Sequence, residues 1–211
     1  MKRNVLFAST LFALSMGFFE SAIVVYLRAL AYPGGFSFPL HPLSEELART
    51  ELFRELASMV MLLAFAWLIS KRRTERLAWF VYNFAIWDLS YYLFLKILLG
   101  WPESLLTLDI LFLIPVAWTG PVAAPVLLSL LMIVFASIVL KHNNDWKRAP
   151  LSRTSLALLV SGSFVVILSF IVEYLVFFFQ TTPRFVDLFK LEAHQQVLNC
   201  FVPDKFSWYL F

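Results

Sequence analysis

Cysteine is nearly absent from this chain, with Cys200 as the only copy among 211 residues. A single thiol excludes an internal disulfide and any metal or redox site built on paired cysteines. Histidine is also scarce, and its three copies lie in segments that pattern as loops or tail, which argues against an intramembrane haem held by two histidines. Those copies are His41, His142 and His194. The sequence has no HExxH pair and no glycine-rich phosphate loop.

Charged residues are also scarce. Only 15% of the residues are charged, below the ~25% usual in soluble domains. Hydrophobic residues make up 61%, above the usual ~45–50%, and the mean hydropathy is +0.79. These values predict a polytopic α-helical membrane protein, whose first partner is the lipid bilayer. Nothing in the sequence resembles a nucleic-acid-binding module.

Long apolar runs predict an all-α bundle of five transmembrane helices, since each span needs ~20 apolar residues. The first run is too long for a signal peptide and carries Glu20. We expect residues 1–180 to form the bundle, and residues 181–211 to form an extracytoplasmic, partly amphipathic tail at the membrane interface. The tail's amphipathic segment would centre on Phe185, Leu188 and Phe189. The predicted helices cover residues 5–27, 45–70, 77–99, 121–140 and 154–180.

One stretch, residues 86–125, departs from this simple pattern. Residues 104–114 are apolar but number too few to cross a membrane before Pro115. A bilayer cannot satisfy the polar groups of a broken helix, so such breaks occur where protein or a watery cavity receives them. We therefore predict a re-entrant half-helix, followed by an interruption at Pro115, Gly120 and Pro121. If residues 104–118 spanned the membrane instead, the excess of Lys and Arg in the predicted cytoplasmic loops would be smaller.

The basic residues set the predicted orientation, because Lys and Arg are enriched in cytoplasmic loops. With the N-terminus cytoplasmic, ten of the 17 lie on the inner side. The C-terminal tail is then extracytoplasmic. The inner residues are Lys2, Arg3, Lys71, Arg72, Arg73, Arg76, Lys141, Lys147, Arg148 and Arg153.

Acidic residues recur inside the apolar segments and would reach similar depths in the outer half of the bilayer. A charge at the bilayer centre costs ~2.5–3.5 kcal/mol even on lenient scales, so intramembrane carboxylates are candidates for function. The same residues could equally serve as interhelical ties. The candidates are Glu20, Glu55, Asp88, Asp109 and Glu173, with Arg28, Arg54 and Lys96 as charge partners and Tyr91 and Tyr92 as supporting polar groups.

Three function classes follow from an acidic intramembrane site. The first is an outward-facing carboxylate and arginine site that binds or transports a cation, metal or proton; carboxylates would favour a hard divalent cation such as Mg²⁺, Ca²⁺ or Mn²⁺. The second is a membrane-embedded enzyme acting on a lipid or isoprenoid, with a buried acid as proton donor. The third is an accessory subunit that meets other membrane proteins in a larger complex. The sequence leaves open whether the protein is an enzyme.

Three segments within residues 45–130 also resemble parts of bacterial inner-membrane proteins that carry no assigned activity. The segments are ELFRELA, IWDLSYY and WPESLLTLDILFLIPVAWTGPVAAP. This resemblance implies a multi-pass protein of the bacterial inner (cytoplasmic) membrane. It implies no substrate and no cofactor.

Overall fold

The structure, a computed structural model, describes residues 3–41, 43–141, 153–182, 184–204 and 206–211. Five long helices and one short helix dominate these residues. They are α1 (Arg3–Ala31), α2 (Glu45–Ile69), α3 (Arg73–Leu99), α4 (Ala123–Lys141), α5 (Arg153–Thr181) and α6 (Leu191–Leu198). The predicted inner loop with His142, Lys147 and Arg148 lies outside the described residues, as does Lys2.

Four of the helices are long and apolar enough to cross a membrane: α1, α2, α4 and the part of α5 from Ala157 to Thr181. Helix α3 has the length, at 27 residues, but it is not among these four, and polar side chains lie along its middle as well as at its ends. Three of them are Asn83, Asp88 and Ser90. The predicted membrane character is therefore supported by four helices, and the predicted count of five spans is not reached on length and composition alone.

Helix α3 lies at the centre of the bundle and packs against α1, α2 and α4. Its contact with α1 is close because Gly17 faces it: a Cβ at this position would lie 2.0 Å from Ser90 Oγ and 2.8 Å from the Trp87 carbonyl oxygen. Hydrogen bonds join the two helices as well. Ser9 donates to Asn83 Oδ1 at 2.8 Å, and Ser21 donates to the Tyr91 carbonyl at 3.0 Å. Small and polar residues thus bring these two backbones together, as in membrane helix pairs.

The helix ends follow local chemistry. Ser44 caps α2, because its Oγ accepts a hydrogen bond from the Leu47 N–H, and Glu45 and Glu46 follow in the first turn, where acids are favourable. Helix α3 ends at Gly100, whose φ of +67° suits a residue without a side chain. From there the chain turns back towards the bundle.

Residues 104–121 form a β-hairpin and a short turn, so the predicted half-helix is wrong. Strand β1 (Leu108–Phe112) pairs antiparallel with β2 (Trp118–Pro121), and Asp109 lies opposite Gly120. No continuous helix runs through residues 104–121, and Pro115 lies in the turn between the strands while Gly120 and Pro121 lie in β2. In the hairpin, backbone N–H and C=O groups of β1 form hydrogen bonds with β2. A lone half-helix would leave the backbone polar groups at its end without partners in the bilayer.

The C-terminal segment packs back onto this hairpin. A short 3₁₀ helix (Phe185–Phe189) precedes α6, and Val197 and Phe201 join Tyr174 and Phe178 of α5 in a buried apolar cluster. Within the predicted amphipathic segment, Leu188 packs against the cluster while Phe185 and Phe189 stay exposed. The tail therefore lies at the same end of the molecule as the hairpin and the α5 C-terminus.

Candidate functional site

A cavity of about 280 Å³ lies where α1, α2, α3, α4 and α5 meet the hairpin. Four carboxylates line it, and Arg54 is the one cation among its lining residues. Those carboxylates are Glu20, Glu51, Glu55 and Asp88. Three of the predicted acids thus share one cavity, while Glu51 was not chosen from the sequence.

Arg54 ties two of these acids together across helices. Its guanidinium forms a salt bridge with Glu20 of α1, and its Nε donates to Glu51 Oε1 at 2.9 Å. Ser58 donates a longer hydrogen bond, of 3.4 Å, to the other oxygen of Glu20. The predicted pairing of Glu20 with Arg54 is thus present. Glu51 lies three residues before Arg54 and four before Glu55, a spacing that puts all three on one side of α2 and could have identified it.

Glu55 and Asp88 accept hydrogen bonds but form no ion pair among the described residues. Both Glu55 carboxylate oxygens accept from the Leu113 N–H, at 3.1 and 3.0 Å, which connects α2 to the turn of the hairpin. Asp88 Oδ2 accepts from Ser129 of α4 at 2.8 Å. Glu55 is buried and Asp88 is half-buried at the cavity wall. Among the described residues neither carboxylate forms a salt bridge, although the charge of Arg54 lies near enough to act on Glu55.

Asp109 lies beside the cavity rather than in its lining. Tyr92 donates to Asp109 Oδ2 at 3.2 Å, and Arg28 Nη2 is 3.9 Å from the other oxygen. Burial raises the pKa of Asp109 to about 6, although Arg28 and Tyr92 oppose the rise. The Arg28 guanidinium also lies over the rings of Trp101 and Phe36, at 3.8 and 4.3 Å from their centroids. This cluster connects the α1 end to the hairpin.

The structure does not bring Lys96 or Glu173 to the cavity. Lys96 donates to the carbonyls of Gly100 and Pro102, at 3.0 and 2.7 Å, and so holds the turn after α3. Glu173 Oε1 accepts from the Asp204 N–H at 2.8 Å and holds the tail against α5. Both contacts explain these charges as local structural ties.

Aromatic rings make up much of the cavity wall. Tyr91 and Tyr92 line it from α3 beside Trp87, and Trp118 lines it from β2. Trp118 also stacks with Phe170 of α5, which lines the same cavity. The indole N–H groups of Trp87 and Trp118 are buried and have no hydrogen-bond partner among the described residues.

Within the part of the chain that the structure describes, no three His, Cys, Asp or Glu side chains are grouped as ligands of a metal ion. A second, apolar groove of about 350 Å³ adjoins the cavity and shares Glu51 and Leu113 with it. The start of α2, the hairpin turn and the tail form the walls of this groove. Its residues include Leu40, Leu52, Pro115, Leu188 and Leu198.

The chain was compared with protein-family models, curated proteins and solved structures, and none of the three comparisons finds a match.

Proposed function

We propose that this chain is a five-span protein of the bacterial inner membrane whose acidic cavity binds a cation from the extracytoplasmic side. The observation that carries the proposal is the pair Glu55 and Asp88, two carboxylates in one cavity without an ion-pair partner among the described residues. A carboxylate without a salt bridge is costly to keep ionised at low dielectric. A bound cation or a proton would neutralise one of them.

The proposed fifth span is α3. Its polar residues do not argue against a span, because polar side chains in membrane helices face the bundle interior. Asn83 and Ser90 are buried against neighbouring helices, and Asp88 faces the cavity. With α3 spanning, the strongly basic Lys71–Arg76 turn is cytoplasmic and the hairpin is extracytoplasmic. The cavity beside the hairpin would then face outward.

Replacing Asp88 tests the proposal. Asp88→Asn keeps the side-chain volume and an oxygen that can accept the Ser129 hydrogen bond, but it removes the charge. We expect wild type in mild detergent to gain thermal stability with an added cation or with a change of pH, and we expect Asp88→Asn to lose that response. The variant without ligand should be as stable as wild type or more so, since a desolvated charge has been removed.

The matched control is Asp187→Asn, the same change in the tail, which should respond as wild type does. Identical responses of Asp88→Asn and wild type to every cation and every pH would refute cation binding at this site.

The adjoining groove favours a second candidate, an enzyme acting on a lipid or isoprenoid. The groove is mostly apolar and adjoins the carboxylates at Glu51, so one amphiphile could place its chain in the groove and its polar group in the cavity. Mass spectrometry of lipids that copurify with wild type, but not with a groove-filling Leu52→Trp variant, would support this candidate. Equal lipid content in both proteins would count against it.

A further inference from the structure

We propose that the ligand of this cavity is a small organic ammonium compound, of about the size of choline, rather than a bare metal ion. The inference rests on the proposed function and specifies the class of cation. It is carried by the aromatic wall and by the arrangement of the carboxylates.

The carboxylates are poorly arranged for a metal ion. A divalent cation such as Ca²⁺ or Mg²⁺ needs six or more oxygen ligands at short distances. Here Glu20 and Glu51 are held by Arg54, and Glu55 and Asp88 receive hydrogen bonds from different elements. An organic ammonium ion has fewer geometric requirements than a metal ion. Its diffuse positive charge needs negative charge nearby but no fixed coordination geometry.

The aromatic wall suits an organic cation. Trp, Tyr and Phe faces attract ammonium and guanidinium groups through the ring quadrupole, and quaternary ammonium ligands are bound by such walls. Trp87, Tyr91, Tyr92 and Trp118 line the cavity together with Asp88. Close by, Arg28 already places its guanidinium 3.8 Å from the centroid of the Trp101 ring. The same preference for a cation over a ring applies inside the cavity.

The size of the cavity fits a small ligand. Its volume of about 280 Å³ lies at the lower end for small-molecule sites, which suits a ligand of few atoms.

The test compares choline with its neutral isostere. Purified protein in mild detergent is titrated by calorimetry with choline, with 3,3-dimethylbutan-1-ol, which has the same shape without the charge, and with Na⁺, Mg²⁺ and Ca²⁺. We expect choline to bind at least tenfold more tightly than the neutral alcohol. Asp88→Asn and Trp118→Leu should each weaken choline binding at least tenfold, while Trp67→Leu on the exposed face of α2 should not.

Trp118→Phe is the conservative comparison, because it keeps an aromatic face. It should retain choline binding, whereas Trp118→Leu should weaken it at least tenfold. If Trp118→Leu does not fold, Tyr91→Leu, which also removes an aromatic face from the cavity wall, takes its place. Choline binding that neither Asp88→Asn nor the loss of an aromatic face weakens would overturn the inference.

The failures of the two proposals differ. If a metal ion or a proton gives a response that Asp88→Asn abolishes, and choline binds no better than the neutral alcohol, the cation site stands and the organic ligand is refuted. If no cation and no change of pH gives a response that depends on Asp88, both proposals are refuted.

Discussion

Arg54 decides how much negative charge the cavity carries. It contacts Glu20 on a neighbouring helix and Glu51 on its own, and its side chain is 16% exposed. Those contacts neutralise part of the acidic set, while Glu55 and Asp88 form no salt bridge among the described residues. An arginine suits this position because its planar group offers several donors at once and stays charged.

Arg49, one turn earlier on α2, provides a matched comparison with Arg54. It pairs with Glu45 at the exposed start of the helix, where the side chains are 58% and 53% exposed. We predict that Arg54→Met lowers the free energy of unfolding by ~3–5 kcal/mol, because it leaves two largely buried carboxylates without their partner. Arg49→Met should cost no more than ~1 kcal/mol, as for exposed pairs. Unfolding of both variants in detergent measures the difference, and equal losses would contradict the prediction.

At the scale of elements, the tail is held by His194 of α6. Its Nδ1 is 2.7 Å from the Tyr174 hydroxyl and its Nε2 is 2.8 Å from the Leu188 carbonyl oxygen. The neutral ring fits both contacts if Nε2 donates to the carbonyl and Nδ1 accepts from the tyrosine. Burial lowers the pKa of His194 below its usual value of 6.5. The docked tail therefore favours the neutral ring.

This lowered pKa predicts that acid loosens the tail. The stabilisation from neutral His194 is complete above pH ~6.5, the unfolded value, and is lost as pH falls towards the lower folded value. Hydrogen exchange over residues 191–204 should therefore speed up between pH 7 and pH 5, once corrected for the intrinsic rate. Asp109 acts in the opposite sense: its raised pKa favours the protonated form in the fold, so its contribution is lost as pH rises through about 6.

The titrations of His194 and Asp109 change the stability in opposite directions as the pH falls, so the overall stability is a poor measure of either. Hydrogen exchange in the tail reports on His194 alone and is the better measurement. His194→Gln cannot titrate and is the control. A tail whose protection has the same pH dependence in wild type and in His194→Gln would show that the histidine is not responsible.

At the scale of the whole molecule, the hairpin, the 32–44 loop and the tail gather at one end. Gln195 donates to the Leu43 carbonyl, and a Cβ on Gly120 would lie 3.0 Å from the Phe206 ring. The opposite end contains the turn between α2 and α3, with exposed Lys71, Arg72 and Arg73. In a membrane these ends would face opposite compartments, and the basic turn would face the cytoplasm.

Cys200 allows a direct test of this orientation, since it is exposed and is the only cysteine in the chain. We predict that a membrane-impermeant maleimide labels Cys200 in intact cells that express the protein. The comparison is the double variant Cys200→Ser with Lys71→Cys, which should react only after the membrane is broken. The reverse labelling pattern would mean that the proposed orientation is inverted.

The sequence by itself determined the helical class, the presence of helices long and apolar enough to span a membrane, and the helix bounds to within a few residues. These features depend on local properties: apolar runs, caps such as Ser44, and residues that cannot continue a helix. It also named Glu20, Glu55 and Asp88 among five candidate acids, because charged side chains within apolar helices must find polar surroundings in the bundle.

Only the tertiary structure decided which acids meet and what the break becomes. Asp109 lies in a hairpin because β1 finds a pairing partner six to thirteen residues later, and Glu55 bonds the turn between the two strands. Lys96 and Glu173 are also charged residues of the long helices, but Lys96 holds the turn after α3 and Glu173 holds the tail. Depth along a helix can be counted from sequence, whereas rotation about the helix axis and the position of a turn depend on packing. The physical reason is that such contacts join residues distant in the chain, and no local preference specifies them.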